Sequence, residues 1–294
     1  MTAAFTLTGV HKRYPDFALS DIHLTLPEGQ IMGLVGVNGA GKTTLLRLLV
    51  GLLRPDAGEV EVLGRTMPGE QVAAKRDIGF AAEDMRLYRT QSLRWHIELI
   101  RAIYPTWDES YASELIRRFD LRIDQPVGGF SHGQRVKALL LLNLARRPRL
   151  LLLDEPTTGL DPVARAEVLE ALTEVLRDES RSVLFSSHNT HDIEQIADTI
   201  TFLHEGRVLA SQDKESFLES WRRIVCEGAW TPDRASLPGL AATQRNGSLL
   251  EIRASGFSPE VRTLLEANGL AVHGEHPMNL EDIFVATVRS GDRP

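Results

Sequence analysis

The run Gly36-Val37-Asn38-Gly39-Ala40-Gly41-Lys42-Thr43 follows the apolar stretch IMGLV and opens the helical pattern TLLRLLVGLL. Strand, glycine-rich loop and helix in that order are the context of a phosphate-binding loop, which constrains the fold around it more than any other feature of the chain. Gly36, Gly39 and Gly41 free the backbone to turn N–H groups inward around a β-phosphate. Lys42 reaches the β and γ oxygens, and the Thr43 hydroxyl is placed to ligate Mg2+. A glycine-rich turn without a ligand is the competing reading of the same residues.

A site of this kind needs a second carboxylate for the metal, commonly at the tip of a neighbouring apolar strand. Leu150 to Leu153 followed by Asp154 meets that need, and Glu155, one step further out, is suited to orient and deprotonate a water. The alternative is an exposed acidic strand end. SVLFSSH is a second short apolar run, and VARAEVLEALTEVLRD between the two reads as a crossover helix, so both strands are expected to be parallel and interior. Ahead of them, Phe5 to Gly64 reads as short strands with one helix from Lys42. Asp84 to about Arg147 has helical spacing, with Leu93, Ile97, Ile100 and Ala102 to Tyr104 near one face.

The pattern predicts an α/β fold, a mixed sheet with an antiparallel β subdomain and a helical subdomain over about 84–147, within a first domain at 1–219. A small α+β domain follows at 220–294, with RRIVCEG and SLLEIRA as strands and SPEVRTLLEANG and NLEDIFVATV as helices. In AVHGEHPM, His273, Glu275 and His276 suggest a metal, with a solvated turn as the plainer reading.

Composition excludes several classes. Among 294 residues, 33 Lys and Arg stand against 40 Asp and Glu, a net charge of -7, so no nucleic-acid partner is expected. The single cysteine, Cys226, can make no internal disulfide or thiolate cage and reads as a small buried apolar residue in a reducing compartment. The longest apolar stretch is interrupted by Asn143, Arg146, Arg147 and Arg149 before reaching the roughly 18 apolar residues that a bilayer span needs. The N-terminal MTAAFTLTGVHKRY has no secretory-signal pattern and reads as a strand.

GVNGAGKTT, FSHGQ, LLLLDEPTTGLD and FSSH, in that order, resemble the nucleotide-binding subunits of ABC transporters over roughly Phe5 to Ser220. The resemblance implies a P-loop NTPase core of the ABC-ATPase kind, hydrolysing ATP with Mg2+. It adds Asn38 and Thr44 to the ATP-binding residues of the loop. FSHGQ matches the signature LSGGQ, which implies that Ser131, Gly133 and Gln134 reach the γ-phosphate of ATP on an opposite subunit. A serine hydroxyl, an amide and a helix N-terminus are donors to an anion, although the pentapeptide alone reads as an N-cap. By the same resemblance Asp161 lies in the loop coupling two sites across a dimer, and His188 is the switch histidine on the γ-phosphate. The resemblance also implies that Tyr14 is the aromatic residue that stacks on adenine. Glu155 and His188 are then the catalytic residues, and Thr43, Asp154 and Glu83 the metal set. Glu83 stands where the family usually has Gln, and His132 replaces the first signature glycine, with ATP sandwiching expected to survive.

RAIYPTWDESYASELIRRFDL, Glu83 and NLEDIFVATV look like bacterial exporter subunits whose membrane domains are separate chains. That implies a head-to-tail homodimer around two Mg-ATP, cytoplasmic and peripheral on the inner face of the cell membrane, driving export through integral membrane permease subunits. Met85, Leu87, Tyr88 and Trp95 then form a groove for a membrane-subunit helix, or else the inner core of the helical subdomain. Two further readings stand beside this one. A soluble ABC ATPase acting on a ribosome, DNA or an assembly scaffold is opposed by the single phosphate loop and the lack of a heptad run. An ATP sensor that binds without hydrolysing is opposed by Glu155 and His188.

Overall fold

Alternation of apolar and polar residues dictates how the chain begins in the computed structural model, which describes residues 2–291. Strand β1 (Ala3–Tyr14) pairs antiparallel with β2 (Phe17–Pro27). Phe5, Leu7 and Val10 from the first and Ile22, Leu24 and Leu26 from the second are buried on one face. β3 (Ile31–Val35) is buried along its whole length and runs into the glycine loop and α1 (Lys42–Leu49). The chain then forms β4 (Ala57–Val62), β5 (Arg65–Thr66), α2 (Gln71–Asp77) and β6 (Ile78–Ala82). β2, β1, β4 and β5 make a four-stranded antiparallel sheet whose apolar face shares a core with α1 and the central strands.

The helical region holds α3 (Leu93–Ile103), α4 (Glu109–Arg118) and α5 (His132–Leu144). Ser92 and Asp108 cap the first two by accepting from the Trp95 and Tyr111 amides. Leu93 and Ile97 are buried in α3 as its spacing predicts, but Ala102 and Ile103 are exposed, so the inward face is narrower than expected. Two of the polar residues that interrupt the apolar stretch, Asn143 in α5 and Arg146 just beyond it, tie this region to β6 and the end of α2. Asn143 accepts from the Phe80 amide at 2.9 Å, and buried Arg146 donates to the carbonyls of Lys75 and Ile78 while its guanidinium stacks 3.4 Å above the Tyr104 ring.

β7 (Leu150–Asp154), α6 (Pro162–Val175), β8 (Ser182–Ser187), α7 (Thr190–Ile196), β9 (Thr199–His204) and β10 (Arg207–Asp213) complete a six-stranded sheet ordered β10-β9-β3-β8-β7-β6. β3, β7 and β8 are buried throughout and parallel, with α6 as the crossover. Register aligns their ends: Val35 lies opposite Ser187, and Asp154 opposite Ser186. Gly33 has no room for a side chain, since a Cβ there would stand 2.3 Å from Ile193 Cγ2. This close approach packs α7 on β3.

The chain divides into two compact units inside β10, between Val208 and Leu209. The sequence reading sets its boundary later, at 219/220, because the Pro- and Gly-rich segment comes after the helix α8 (Lys214–Ser220); the helix falls in the second unit. That unit continues with β11 (Arg222–Glu227), β12 (Leu240–Asn246), β13 (Leu249–Ala254), α9 (Pro259–Ala267), β14 (Ala271–Pro277) and α10 (Leu280–Gly291). Its antiparallel sheet runs β12-β13-β11-β14, and Ile224, Cys226, Leu250, Ile252 and Leu265 form its core. Cys226 is fully buried, and burial raises its thiol pKa. The AVHGEHP segment is a strand and not a turn: His273 pairs with Glu227 at 3.2 Å, and Glu275 with Arg262 at 3.3 Å.

Candidate nucleotide site

Three parallel strands end at one edge of the sheet, where ligands of open α/β folds bind. β3 delivers the glycine loop, β7 delivers Asp154 and Glu155, and β8 delivers Ser186 and then His188. The loop turns at Gly39 (φ 83°) and Gly41 (φ 109°), both in the left-handed region that suits glycine. Open space lies beside Gly39, and α1 starts at Gly41 with no side-chain cap on its first N–H groups. Phe17 sits against Gly41, and Tyr14 stacks on Phe17 with ring centroids 6.3 Å apart, so the half-exposed Tyr14 ring flanks the loop. Asn38 is exposed at the loop tip and Thr44 half-buried in the first turn of α1.

Thr43 and Asp154 converge. Thr43 Oγ1 donates to Asp154 Oδ2 at 2.6 Å, which brings a hydroxyl and a carboxylate to a single point, the donor pair a hard divalent cation takes. The other Asp154 oxygen accepts from Ser186 Oγ at 2.7 Å, and that same Oγ accepts from the Glu155 amide at 3.0 Å. Buried Ser186 thereby fixes both acids.

Glu155 has a left-handed backbone (φ 53°), uncommon for a residue with a side chain. Its carboxylate meets Lys42 Nζ at 3.1 Å and accepts from Thr158 Oγ1 and His188 Nδ1, each at 2.8 Å. Burial pushes the Glu155 carboxyl pKa up. The Lys42 charge and the hydrogen bonds from Thr158, Lys42 and His188 together exceed that effect and hold it below the ordinary range. Lys42 Nζ also donates to the Gly36 carbonyl at 2.6 Å, so the ammonium is held between the loop backbone and Glu155.

The signature segment lies at the start of α5. Ser131 and Gln134 form a reciprocal capping box: the Gln134 amide donates to Ser131 Oγ at 3.2 Å and the Ser131 amide to Gln134 Oε1 at 2.9 Å. Asp161 caps α6, accepting from the Val163 and Ala164 amides, and the Ala164 bond is the main reason its carboxyl pKa lies low. Exposed Glu83 is drawn into no such network; its carbonyl accepts from Arg86. It shares with Asp154, Glu155, His132 and Arg135 the wall of a cavity of about 390 Å³.

Two residues that hold this site are not among the sequence candidates. Thr158 and Ser186 matter through what they touch. The only signal for Ser186 is a polar pair, Ser186 and Ser187, at the tip of an apolar strand.

A family model described as ABC transporter matches residues 19–158. The ATP-binding protein YtrB of Bacillus subtilis is 30% identical over 275 residues, covering 91% of this chain and 92% of its own. The chain belongs to the ABC transporter family. The daunorubicin resistance ATP-binding protein DrrA3 of Streptomyces coeruleorubidus is 38% identical, over 70% of this chain and 67% of its own. The Nod factor export ATP-binding protein I of Burkholderia lata is 31% identical over 96% of each chain. A solved ATP-binding subunit of an ABC transporter superposes with a TM-score of 0.66 at 27% identity, over 71% of this chain and 90% of its own. The solved ATP-binding cassette MJ0796 superposes at 0.64 and 22% identity, a likeness of fold. The chain is thus the ATP-binding subunit of an ABC transporter, binding and hydrolysing ATP. Among the described residues no helix is long and apolar enough to cross a membrane.

Proposed function

We propose that two copies of this chain close head to tail around two ATP, each nucleotide lying between the phosphate loop of one copy and FSHGQ of the other. The pair works at the cytoplasmic face of the membrane and drives export through separate integral membrane subunits. Binding energy of ATP closes the dimer, and hydrolysis reopens it. The observation that carries the hydrolytic reading is Glu155, a carboxylate kept charged by Lys42, Thr158 and His188 beside the Thr43–Asp154 pair.

Each residue then has a task. The loop amides at Gly36, Asn38, Gly39 and Gly41, with Thr44, cradle phosphate, and Lys42 neutralises it. The Tyr14 ring offers its face to adenine. Mg2+ accompanying ATP would be held by Thr43 and Asp154, with Glu83 on the same cavity wall, and would neutralise charge on the β and γ oxygens. Charged Glu155 takes the proton of an attacking water, and His188 orients that carboxylate and faces the γ-phosphate. Ser131 Oγ accepts within the capping box, so its hydrogen is left to donate across the dimer, next to the Gly133 amide. Gln134 holds Ser131 in that pose, and Asp161 fixes the loop between the sites.

Export is supported by relatives named for daunorubicin resistance and Nod factor export. Docking to a membrane subunit is supported by an apolar surface on the helical region. Met85, Tyr88, Trp95, Leu99 and Ile103 are exposed there, and Met85, Leu87, Tyr88 and Leu99 edge a groove of about 850 Å³. The decisive test is Glu155→Gln. Turnover falls about 10²-fold or more while ATP binding is spared, and undiminished hydrolysis refutes the assignment. Capture of that variant with ATP from detergent-solubilised membranes should bring down a polytopic membrane protein; recovery of ribosomes or soluble partners alone would overturn the transport reading.

A further inference from the structure

His132 is the residue by which FSHGQ departs from LSGGQ, and its ring is engaged within its own subunit. It opens α5, and its Nε2 lies 2.8 Å from the Thr158 carbonyl. A carbonyl only accepts, so Nε2 carries the hydrogen. The ring passes over Gly159, where an added Cβ would stand 3.4 Å from Nε2. Thr158 is tied onward to Glu155 twice, its amide donating to the Glu155 carbonyl at 3.3 Å and its Oγ1 to the carboxylate at 2.8 Å. A hydrogen-bonded path therefore runs from the first turn of the signature helix through Thr158 to the carboxylate that Lys42 and His188 also hold. A glycine at 132 has no atom with which to enter it.

We propose that His132 is a positioning residue that relays occupancy of FSHGQ by the ATP of one site to the Glu155 carboxylate of the other site, through Thr158. This rests on the reading of Ser131 and Gly133 as donors to the ATP of the second copy and of Glu155 as the base. Phosphate engaging the first turn of α5 fixes the His132 ring. The ring fixes the Thr158 carbonyl, and Thr158 Oγ1 sets the direction of the carboxylate oxygen it contacts. No bond is made or broken along the path, so its effect is on geometry and on coupling between sites.

The test is steady-state ATP hydrolysis by the full-length chain carrying His132→Gly, His132→Gln, Thr158→Val or His132→Gly with Thr158→Val. His132→Gly should lower kcat about threefold to tenfold, the scale of one lost hydrogen bond, with KM within about twofold. Its Hill coefficient should fall towards that of independent sites. His132→Gln presents an amide N–H near the place of Nε2 and should restore both rate and cooperativity. Thr158→Val keeps the carbonyl but removes Oγ1–H, and the double variant should be no slower than the slower single one, because both changes interrupt one path. Wild-type rate and cooperativity in His132→Gly overturn the proposal, as do additive losses or failure of Gln to rescue, which are the marks of a merely structural role. Should His132→Gly fail to fold, Thr158→Val reads the same path, and unchanged cooperativity there refutes it. The Glu155→Gln measurement keeps the two readings apart. Full activity in that variant removes the base itself, whereas lost activity there with an unaffected His132→Gly removes only the relay.

Discussion

Ser186→Ala isolates what one buried hydroxyl does for the nucleotide site. Ser186 is fully buried and joins two groups, donating to Asp154 Oδ1 and accepting from the Glu155 amide. Alanine fits the strand but leaves a buried carboxylate oxygen and a buried N–H short of a partner. Each such group costs about 1–3 kcal/mol, so the pair amounts to roughly 2–6 kcal/mol. For a folded unit of this size, at about 2–4 °C per kcal/mol, that lowers Tm by about 4–24 °C, read by thermal unfolding of the full chain. Function suffers separately. The hydrogen bond that the Glu155 amide donates to Ser186 Oγ steadies the left-handed backbone of Glu155, and its loss lets the carboxylate wander from Lys42 and His188. The expected outcome is a kcat about tenfold lower with ATP affinity nearly kept. A variant with wild-type Tm and kcat refutes the claim that Ser186 fixes both acids.

The acid limit of activity follows from Glu155. Burial raises its carboxyl pKa, but Lys42, Thr158 and His188 bring it below that of the unfolded chain. Its contribution to stability is therefore complete above the unfolded glutamate pKa of about 4.3 and is lost as pH falls through the lower folded value. Lys42→Met removes the main cause that lowers the Glu155 pKa, so stability near neutral pH should fall and less of it should be lost on acidification; an unchanged pH dependence refutes the charge assignment. Gly33→Ala should push α7 off β3 through the Ile193 clash and displace the neighbouring His188, costing about 1–3 kcal/mol and lowering kcat. Adding Ile193→Ala should recover part of both, and full stability in Gly33→Ala alone would contradict the contact.

What could be read from the sequence was what is local. The strand–loop–helix setting of the phosphate loop and the acid pair at the end of LLLL need only their neighbours along the chain, and both are found where their residues indicate. Ser186 escapes because its role arises from register: only once β7 lies beside β8 does it face Asp154, whereas Thr158 is local, three residues beyond Glu155, and escapes because its hydroxyl carries no motif of its own. Arg146 reads as a break in an apolar run, whereas a buried guanidinium with carbonyl and aromatic partners is a tertiary outcome. β12 and β14 escape for another reason. They are the edges of the small sheet, are exposed over much of their length, and so carry little apolar alternation for a reader to detect. His132 shows the opposite case, where a departure from a family motif was visible in sequence but the contact it makes, to the Thr158 carbonyl, lies across the fold.

Helix α1 begins at a left-handed glycine that supplies no side-chain acceptor to its first amides. In the proposed function the phosphate oxygens of ATP supply the missing cap from outside the chain. A helix completed by its ligand binds that ligand preferentially when folded, and stability then climbs with ligand concentration, by about 2.7 kcal/mol at one hundred times Kd. With ATP as that ligand, as proposed, openings that expose the chain to proteases would become rarer as ATP rises and more frequent as it falls. The same glycine that lets the backbone approach phosphate would then tie the lifetime of the protein to the fuel it consumes.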